Sequence, residues 1–314
     1  MGDKISGSIV MKVFVIIATY NAMHWIEKCL CSILNSSIPV EIIIVDNCSS
    51  DGTKEFITSN FNTVNIYKQD KNLGFGAANN LGLELALKRG GDYFLLLNQD
   101  AYVEPNTIEV LVNTMEINND YGVLSPIHLN GNGDEIDLYF QIYSGPNKCK
   151  NFYSDIFLRK KMKSIYDLPF VNAAVWLLSK KTLEMVGGFN PYFFHYAEDN
   201  DYLNRCRYKK LKVGIVPEVR AFHDRILKNR SYDLKTFFNI NDLKLMDPNR
   251  NITVNNMLLF TVKGILKSIV NRNKFYFKSN IFYFRKLIKN SKVINEYKQT
   301  SKGGNFAFLK VNKF

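Results

Sequence analysis

Between residues 13 and 117 short, continuous apolar runs alternate with stretches of helical periodicity, and the runs end in polar clusters. Residues 13–18 (VFVIIA) lead into Thr19-Tyr20-Asn21. Residues 41–45 (EIIIV) lead into Asp46-Asn47-Cys48-Ser49-Ser50-Asp51-Gly52, and residues 93–97 (YFLLL) into Asn98-Gln99-Asp100. Unbroken β-branched and leucine runs of this length suit strands buried on both faces of a parallel sheet. A further strand is expected at 64–67. Helices are expected at 23–34, where Trp25, Ile26, Cys29, Leu30, Ile33 and Leu34 recur at helical spacing, at 53–60, at 73–88, and from Pro105 as first helical residue to 117. Strands alternating with helices predict an α/β fold with a mostly parallel sheet flanked by helices. Ligands in such sheets bind at the C-terminal strand ends. The three polar clusters all follow strand ends, so they are expected to form one site.

The rest of the chain is less regular. A strand is expected at 122–127, a loop-dominated stretch at 130–163, an apolar segment at 170–179, helices at 180–186 and 198–209, and a strand at 212–216 ahead of His223. The body is expected to span residues 11–250, with 11–120 as one half and 121–250 as the other. Residues 1–10 read as a leader without a secretory apolar core. No run approaches the about 18 apolar residues of a spanning helix. The cysteines, Cys29, Cys31, Cys48, Cys149 and Cys206, form no CxxC pair, which argues against a disulfide framework or structural zinc and fits a reducing cytoplasm.

Charge separates the two ends. The chain carries 41 basic and 29 acidic residues, a formal net charge of +12. From Thr261 to Phe314 there are 13 Lys and Arg against the single acid Glu296, so the whole excess belongs to the region 251–314. A neutral body with a basic, aromatic-rich helical C-terminal tail points to a membrane surface rather than to nucleic acid. Leu258, Leu259, Val262, Ile265, Leu266 and Ile269 fall on one helical stripe of that tail, with Lys263 and Lys267 on another side. The same stripe suits packing on the body or a homo-oligomer contact.

Each motif also has a structural reading. Asp46 through Thr53 suits a helix N-cap by Ser50 or Asp51, but a carboxylate at a strand end can also accept from a base N–H or a ribose hydroxyl. Asp100 can hold a hard divalent cation that binds a diphosphate, provided other ligands complete the site. The acids of Glu198-Asp199-Asn200-Asp201 complement a helix dipole, and beside aromatic residues they also suit a general base. His223 follows a strand, where a structural role is the commoner one. Leu73-Gly74-Phe75-Gly76-Ala77-Ala78-Asn79 lacks the last glycine of a dinucleotide fingerprint and follows the third strand. It indicates close backbone packing at a helix start.

Taken together and in order, Ile17 to Asn21, Val45 to Thr53, Asn72 to Asn79, Leu97 to Asp100, Gly187-Gly188-Phe189 and Glu198 to Asp201 resemble the family 2 glycosyltransferases of GT-A fold, over about residues 13–225. The NLGFGAANN and LLNQD forms are similar to the rhamnosyltransferase branch, which builds bacterial surface polysaccharides. The resemblance implies a nucleotide-diphosphate sugar donor (dTDP-, UDP- or GDP-linked) and a glycan or lipid-linked glycan acceptor. It implies that Asp46 holds the pyrimidine, with Thr19, Tyr20, Asn21, Asn47 and Asp51 nearby. Gly74, Phe75, Gly76 and Asn79 would line the nucleotide or sugar pocket, with Asn98 and Gln99 beside it. It further implies Mg²⁺ or Mn²⁺ on Asp100 and His223, and Asp199 as general base with Glu198 beside it. Asn98 stands where the family's metal motif begins with Asp, which removes one negative charge. Transfer would invert the anomeric carbon, because no second enzyme nucleophile is evident. A non-catalytic nucleotide-sugar or glycan-binding module on the same scaffold remains the alternative, as does a membrane-surface scaffold.

Overall fold

The computed structural model describes residues 11–226 and 233–311. The expected leader at 1–10 lies outside the described residues. Among them, nine strands and eleven helices are present. The first part runs β1 (Val13–Thr19), α1 (Ile26–Leu34), β2 (Glu41–Asp46), α2 (Thr53–Asn60), β3 (Asn65–Lys68), α3 (Phe75–Lys88), β4 (Tyr93–Leu97), β5 (Ala101–Val103) and α4 (Thr107–Ile117). The second part runs β6 (Tyr121–Asn130), α5 (Leu138–Ser144), α6 (Phe152–Phe157), β7 (Tyr166–Asp167), β8 (Val175–Ser179), α7 (Lys180–Val186), α8 (Glu198–Tyr208) and β9 (Lys212–His223). Three helices close the chain: α9 (Leu234–Met246), α10 (Val254–Val270) and α11 (Lys274–Lys302).

The strands form one sheet in the order β3-β2-β1-β4-β8-β6-β9-β5, with β7 paired to β9. β3, β2, β1 and β4 are mutually parallel, as the apolar runs predict. β8 joins β4 antiparallel, and β6 pairs β9 in parallel. Ile16, Ile43, Phe94 and Leu96 are buried on one face of the sheet, and Val15, Ile17, Ile44 and Leu95 on the other. Their β-branched, leucine and aromatic side chains fill a surface covered on both sides.

Several boundaries differ from the sequence reading. Pro105 lies in a turn, and α4 begins at Thr107 after Asn106. The stretch 130–163 is not all loop. α5 begins where the Asp137 carboxylate accepts from the Phe140 amide at 2.9 Å, and α6 follows it. β9 runs on past Val216 to His223 across a register shift opposite Pro126/Ile127. Cys31 is exposed, while Cys29, Cys149 and Cys206 are buried thiols.

The C-terminal helices are helical and basic as expected, but residue 250 is not a break in packing. Tyr283, Leu287 and Ile294 of α11 are buried with Phe193, Ala197, Phe237 and Met246 in a third apolar cluster. The Asp242 carboxylate of α9 accepts from the Tyr283 hydroxyl at 2.9 Å and pairs with Lys286. Beyond α11 the Gly188 amide donates to the Ala307 carbonyl at 2.8 Å, and the Lys310 amide to Glu84 Oε1 at 2.9 Å. Among the described residues no helix is long and apolar enough to cross a membrane.

Candidate active site

The parallel register places the ends of β1, β2 and β4 side by side, and their loops are then tied to one another. Thr19 and Asp46 face each other across the β1–β2 ladder. Asp46 is fully buried and accepts from the Thr19 hydroxyl at 3.1 Å, from the Ser49 hydroxyl, and from the Ser49 amide at 3.2 Å. A buried carboxylate costs free energy unless such donors surround it, so these bonds fix the loop as well as the acid. Asn21, at φ +51°, donates its amide to Ser49 Oγ and accepts from the Ser50 amide at 2.9 Å. Asn47 Oδ1 accepts from the Leu73 amide at 3.2 Å, which joins the β2 loop to the start of α3. Gln99 reaches back to Tyr20, accepting from its amide at 2.7 Å and donating to its carbonyl at 3.2 Å.

Thr19, Tyr20, Asn21, Asp46, Asn47 and Gln99 therefore share one hydrogen-bonded rim, while Asn98 precedes Gln99 with its amide donating to the Ala174 carbonyl at 2.8 Å. Two expected members act differently. The Asp51 carboxylate accepts from Thr53 and from the Met23 amide, so it holds the start of α2 to the β1 loop. Asn79 is buried within α3, its amide donating to the Phe75 carbonyl at 3.0 Å. Its side chain is a packed part of the helix rather than an open wall of the site.

Gly74 and Gly76 are required where α3 begins. Gly74 has φ +83°, and a Cβ there would lie 2.2 Å from the Phe194 carbonyl oxygen. A Cβ on Gly76 would lie 2.9 Å from Phe189 Cβ and 3.7 Å from Glu198 Cβ. Close packing brings the start of α8 against the start of α3, and Glu198 with it. The preceding residues, Tyr196 (φ +66°) and Ala197 (φ +82°), are both left-handed without being glycine. Such strain concentrates at functional sites.

The acids of α8 then divide. Glu198 is buried, and among the described residues its Oε2 has no hydrogen-bond partner. Burial, followed by the charge of Asp199, pushes its carboxyl up to about 8. Asp199 is half-buried and accepts at Oδ1 from the Asn200 amide at 2.7 Å. Asp201 is buried and pairs at 2.8 Å with Arg205, which also donates to the Val186 and Gly188 carbonyls. Asp201 is thus a structural ion pair, and Asp199 is half-buried beside Glu198 at the start of α8.

β5 is what brings Asp100 to His223. Its three residues pair antiparallel with the end of β9, Ala101 opposite His223. The Asp224 amide donates to the Asp100 carbonyl at 2.8 Å. His223 Nε2 lies 3.3 Å from Asp100 Oδ1. Burial opposes ionisation of Asp100, but His223 and then Arg225 outweigh it and hold the carboxyl below its usual range. Arg225 Nη2 lies 2.6 Å from His223 Nδ1, and its guanidinium also pairs with Asp137. A guanidinium only donates, so Nδ1 accepts and the His223 proton points from Nε2 toward Asp100.

A carboxylate oxygen and an imidazole nitrogen 3.3 Å apart suit neighbouring ligands of one divalent cation once the imidazole proton moves from Nε2 to Nδ1 and Arg225 turns away from that nitrogen. The buried Asn98 Oδ1, without a partner among the described residues, is a further neutral oxygen at that turn. No cluster of three or more His, Cys, Asp or Glu that could hold a metal is found among the described residues. A cation held by Asp100 and His223 would need further ligands beyond these side chains.

Sequence reasoning missed His128, Asp137 and Arg225. His128 is fully buried, lies 2.9 Å from the Ser125 hydroxyl, and has its ring centroid 6.3 Å from that of His223. Burial, then His223 and Arg225, hold its pKa well below the usual value, so it stays neutral. Their spacings carry no motif, and the β6–β9 pairing together with the Arg225–Asp137 ion pair joins them.

The sequence matches the glycosyl transferase family 2 profile over residues 14–184. The chain belongs to that family. It is 24% identical over 231 residues to an N-acetylglucosaminyl-diphospho-decaprenol L-rhamnosyltransferase of Mycobacterium tuberculosis, covering 67% of this chain and 75% of that protein. Among solved structures, S. aureus TarS 1-349 in complex with UDP-GlcNAc superposes with a TM-score of 0.58 at 15% identity, covering 95% of this chain and 90% of that one. GalNAc-T7 with UDP, GalNAc and Mn²⁺ gives 0.58 at 14%, covering 94% and 55%. The glycosyltransferase is α/β with a GT-A fold, as the strand-end reading and the resemblance imply. The family match ends before Glu198 and His223, so the geometry above is what joins those residues to the rim.

Proposed function

We propose that this family 2 glycosyltransferase is an inverting, metal-dependent enzyme that moves a sugar from a dTDP-, UDP- or GDP-sugar to a hydroxyl of a lipid-linked glycan. The reaction would serve bacterial surface polysaccharide assembly at the cytoplasmic face of the membrane. One observation carries the reading: Asp100 meets His223 directly after Gln99 of the tied rim, and Glu198 and Asp199 begin α8 against the start of α3. The relative named for L-rhamnosyl transfer to a diphospho-decaprenol-linked sugar supports the acceptor class.

Each residue has a defined task. The rim of Thr19, Tyr20, Asn21, Asp46 and Asn47 presents the nucleoside site, held in advance by its own hydrogen bonds. Asp100 and His223 would hold Mg²⁺ or Mn²⁺ against the diphosphate, where it supplies charge neutralisation for the leaving group. Asp199 takes the proton from the acceptor oxygen as that oxygen forms its bond to the anomeric carbon. The bond to the diphosphate breaks on the opposite face, so the carbon inverts. Glu198 keeps its proton near neutral pH, which suits it poorly to the role of base and leaves that role to its neighbour Asp199. Screening UDP-, GDP- and dTDP-sugars by thermal shift with Mn²⁺ identifies the donor. Assay of that donor with Mn²⁺ and with EDTA, and the anomeric configuration of the product by NMR, test the mechanism. Turnover unaffected by EDTA, or a retained configuration, would overturn it.

A further inference from the structure

The C-terminal two-thirds of α10 encloses small residues and leaves large aliphatic side chains exposed. The buried side consists of Val254, Met257, Thr261 and Ser268, with the Thr261 and Ser268 hydroxyls bonded back to Met257 and Gly264 carbonyls. At Gly264 the helix meets α11 so closely that a Cβ would lie 2.5 Å from Asn280 Oδ1. Small residues allow this approach, and they leave the large aliphatic side chains outside. Leu259 is 57% exposed, Leu266 59%, Ile269 56% and Val270 80%, with Val262 between them. These positions follow at three- and four-residue steps, so they form one strip on the outward face. Lys263 and Lys267 border the strip and are exposed. On α11, exposed Lys274, Lys278, Arg285, Lys289 and Lys292 recur at helical spacing.

We propose that the α10–α11 hairpin docks on an anionic phospholipid bilayer, with Leu259, Val262, Leu266 and Ile269 entering the interface and the flanking lysines reaching the lipid phosphates. Charge selects the occupant. The region from Thr261 onward carries 13 basic residues and one acid, whereas residues 1–260 are neutral overall. A second copy would bring the same lysines against these, which repel. A nucleic acid would satisfy the lysines but leave the aliphatic strip against water. An anionic bilayer satisfies both, since amphipathic helices with Lys on the polar margin lie in that boundary. The hairpin is also fixed to the body: Lys298 of α11 donates to the Leu245 carbonyl at 2.6 Å, and Tyr283 bonds Asp242. Docking would therefore fix the whole enzyme at the surface. The inference rests on the lipid-linked acceptor reading for its purpose and on the hairpin alone for its evidence.

The test uses the full chain and vesicles of phosphatidylcholine with and without phosphatidylglycerol, in co-sedimentation at low and high salt. Wild type should sediment with the anionic vesicles at low salt, with at least about tenfold weaker binding to neutral ones or at high salt. The Leu259→Ser/Leu266→Ser/Ile269→Ser variant should lose about tenfold in vesicle affinity, with donor hydrolysis in solution unchanged. Lys263→Gln/Lys267→Gln should reduce the salt dependence. These positions are exposed, and thermal melts of both variants confirm folding. Wild type that stays in the supernatant, or a strip variant that binds equally, overturns the proposal. So does a wild-type dimer that the strip variant converts to monomer without any vesicle binding. Vesicle binding without donor turnover would instead fault the functional reading and leave the docking surface standing.

Discussion

At the strand ends of the sheet, polar side chains face one another and apolar ones are enclosed. Asp46, Thr19 and Ser49 satisfy each other, Gln99 clips Tyr20, and Asn47 holds Leu73. In α10 Leu259, Leu266, Ile269 and Val270 face out, while Thr261 and Ser268 are enclosed beside Val254 and Met257. The first region is complete within the chain, so its geometry is set before any ligand arrives, and preorganised groups lose little on binding. The second is complete only on its inner side. On the reading proposed above, binding chemistry resides in the strand-end region and the hairpin determines where that chemistry is delivered. Perturbations of the two should separate cleanly.

The largest effect is expected at Asp199. Asp199→Asn keeps the shape but cannot take a proton, so turnover should fall by ~10²–10⁴-fold while donor affinity stays near that of wild type. Steady-state kinetics paired with calorimetric donor titration separates the two. Near wild-type turnover would remove Asp199 from the mechanism. Next comes Asp100→Ala, expected to weaken nucleoside diphosphate binding in Mn²⁺ by about 10–100-fold, the scale of losing support in a metal site, with little change in EDTA. Equal losses in both conditions would show that Asp100 acts without a cation. Neither change should alter vesicle binding, and an effect there would break the separation of the two regions.

A third experiment sharpens the contrast within the hairpin itself. Leu287 is fully buried between α11 and the body, whereas Leu266 is exposed on α10. Leu287→Ala should cost about 2–5 kcal/mol in chemical denaturation. Leu266→Ala should stay within about 0.5 kcal/mol. A comparable loss at Leu266 would mean that its face is covered, in a dimer or by the body.

Legibility in the sequence follows the same division. β1, β2 and β4 were legible because unbroken apolar runs have few other uses, and the polar residues after them marked the site. β5 was not, because three residues carry no periodicity, and yet that strand brings Asp100 to His223. The extension of β9 was hidden by Pro217 and Glu218, which sit at the register shift. Arg225 and His128 reach the site only through strand pairing across about a hundred residues of chain, which no local pattern encodes. The stripe on α10 was legible as a stripe. Its direction was not, because hydrophobic periodicity tells which residues share a face and not whether anything covers it.

The smallest effect concerns Glu198, where the strand-end region departs from its own rule of satisfied polar groups. Its Oε2 has no partner among the described residues, and burial with the Asp199 charge raises its carboxyl from an ordinary 4.5 to about 8. The sign follows from proton counting. Below pH 4.5 folded and unfolded chains both hold the proton, and the group costs nothing. Between 4.5 and 8 the unfolded chain releases it and the folded chain keeps it, so stability falls as pH rises and reaches its floor above 8. Glu198→Gln keeps the shape and has nothing to titrate. Its melting temperature relative to wild type should therefore climb through that window by a few degrees and level off above it. The same variant should leave turnover near neutral pH within severalfold of wild type, because Gln mimics the protonated acid already present there. A stability difference that stays flat with pH would mean that Glu198 is ionised in place. Two adjacent charged carboxylates would then face the acceptor, and the assignment of the base to Asp199 alone would fail.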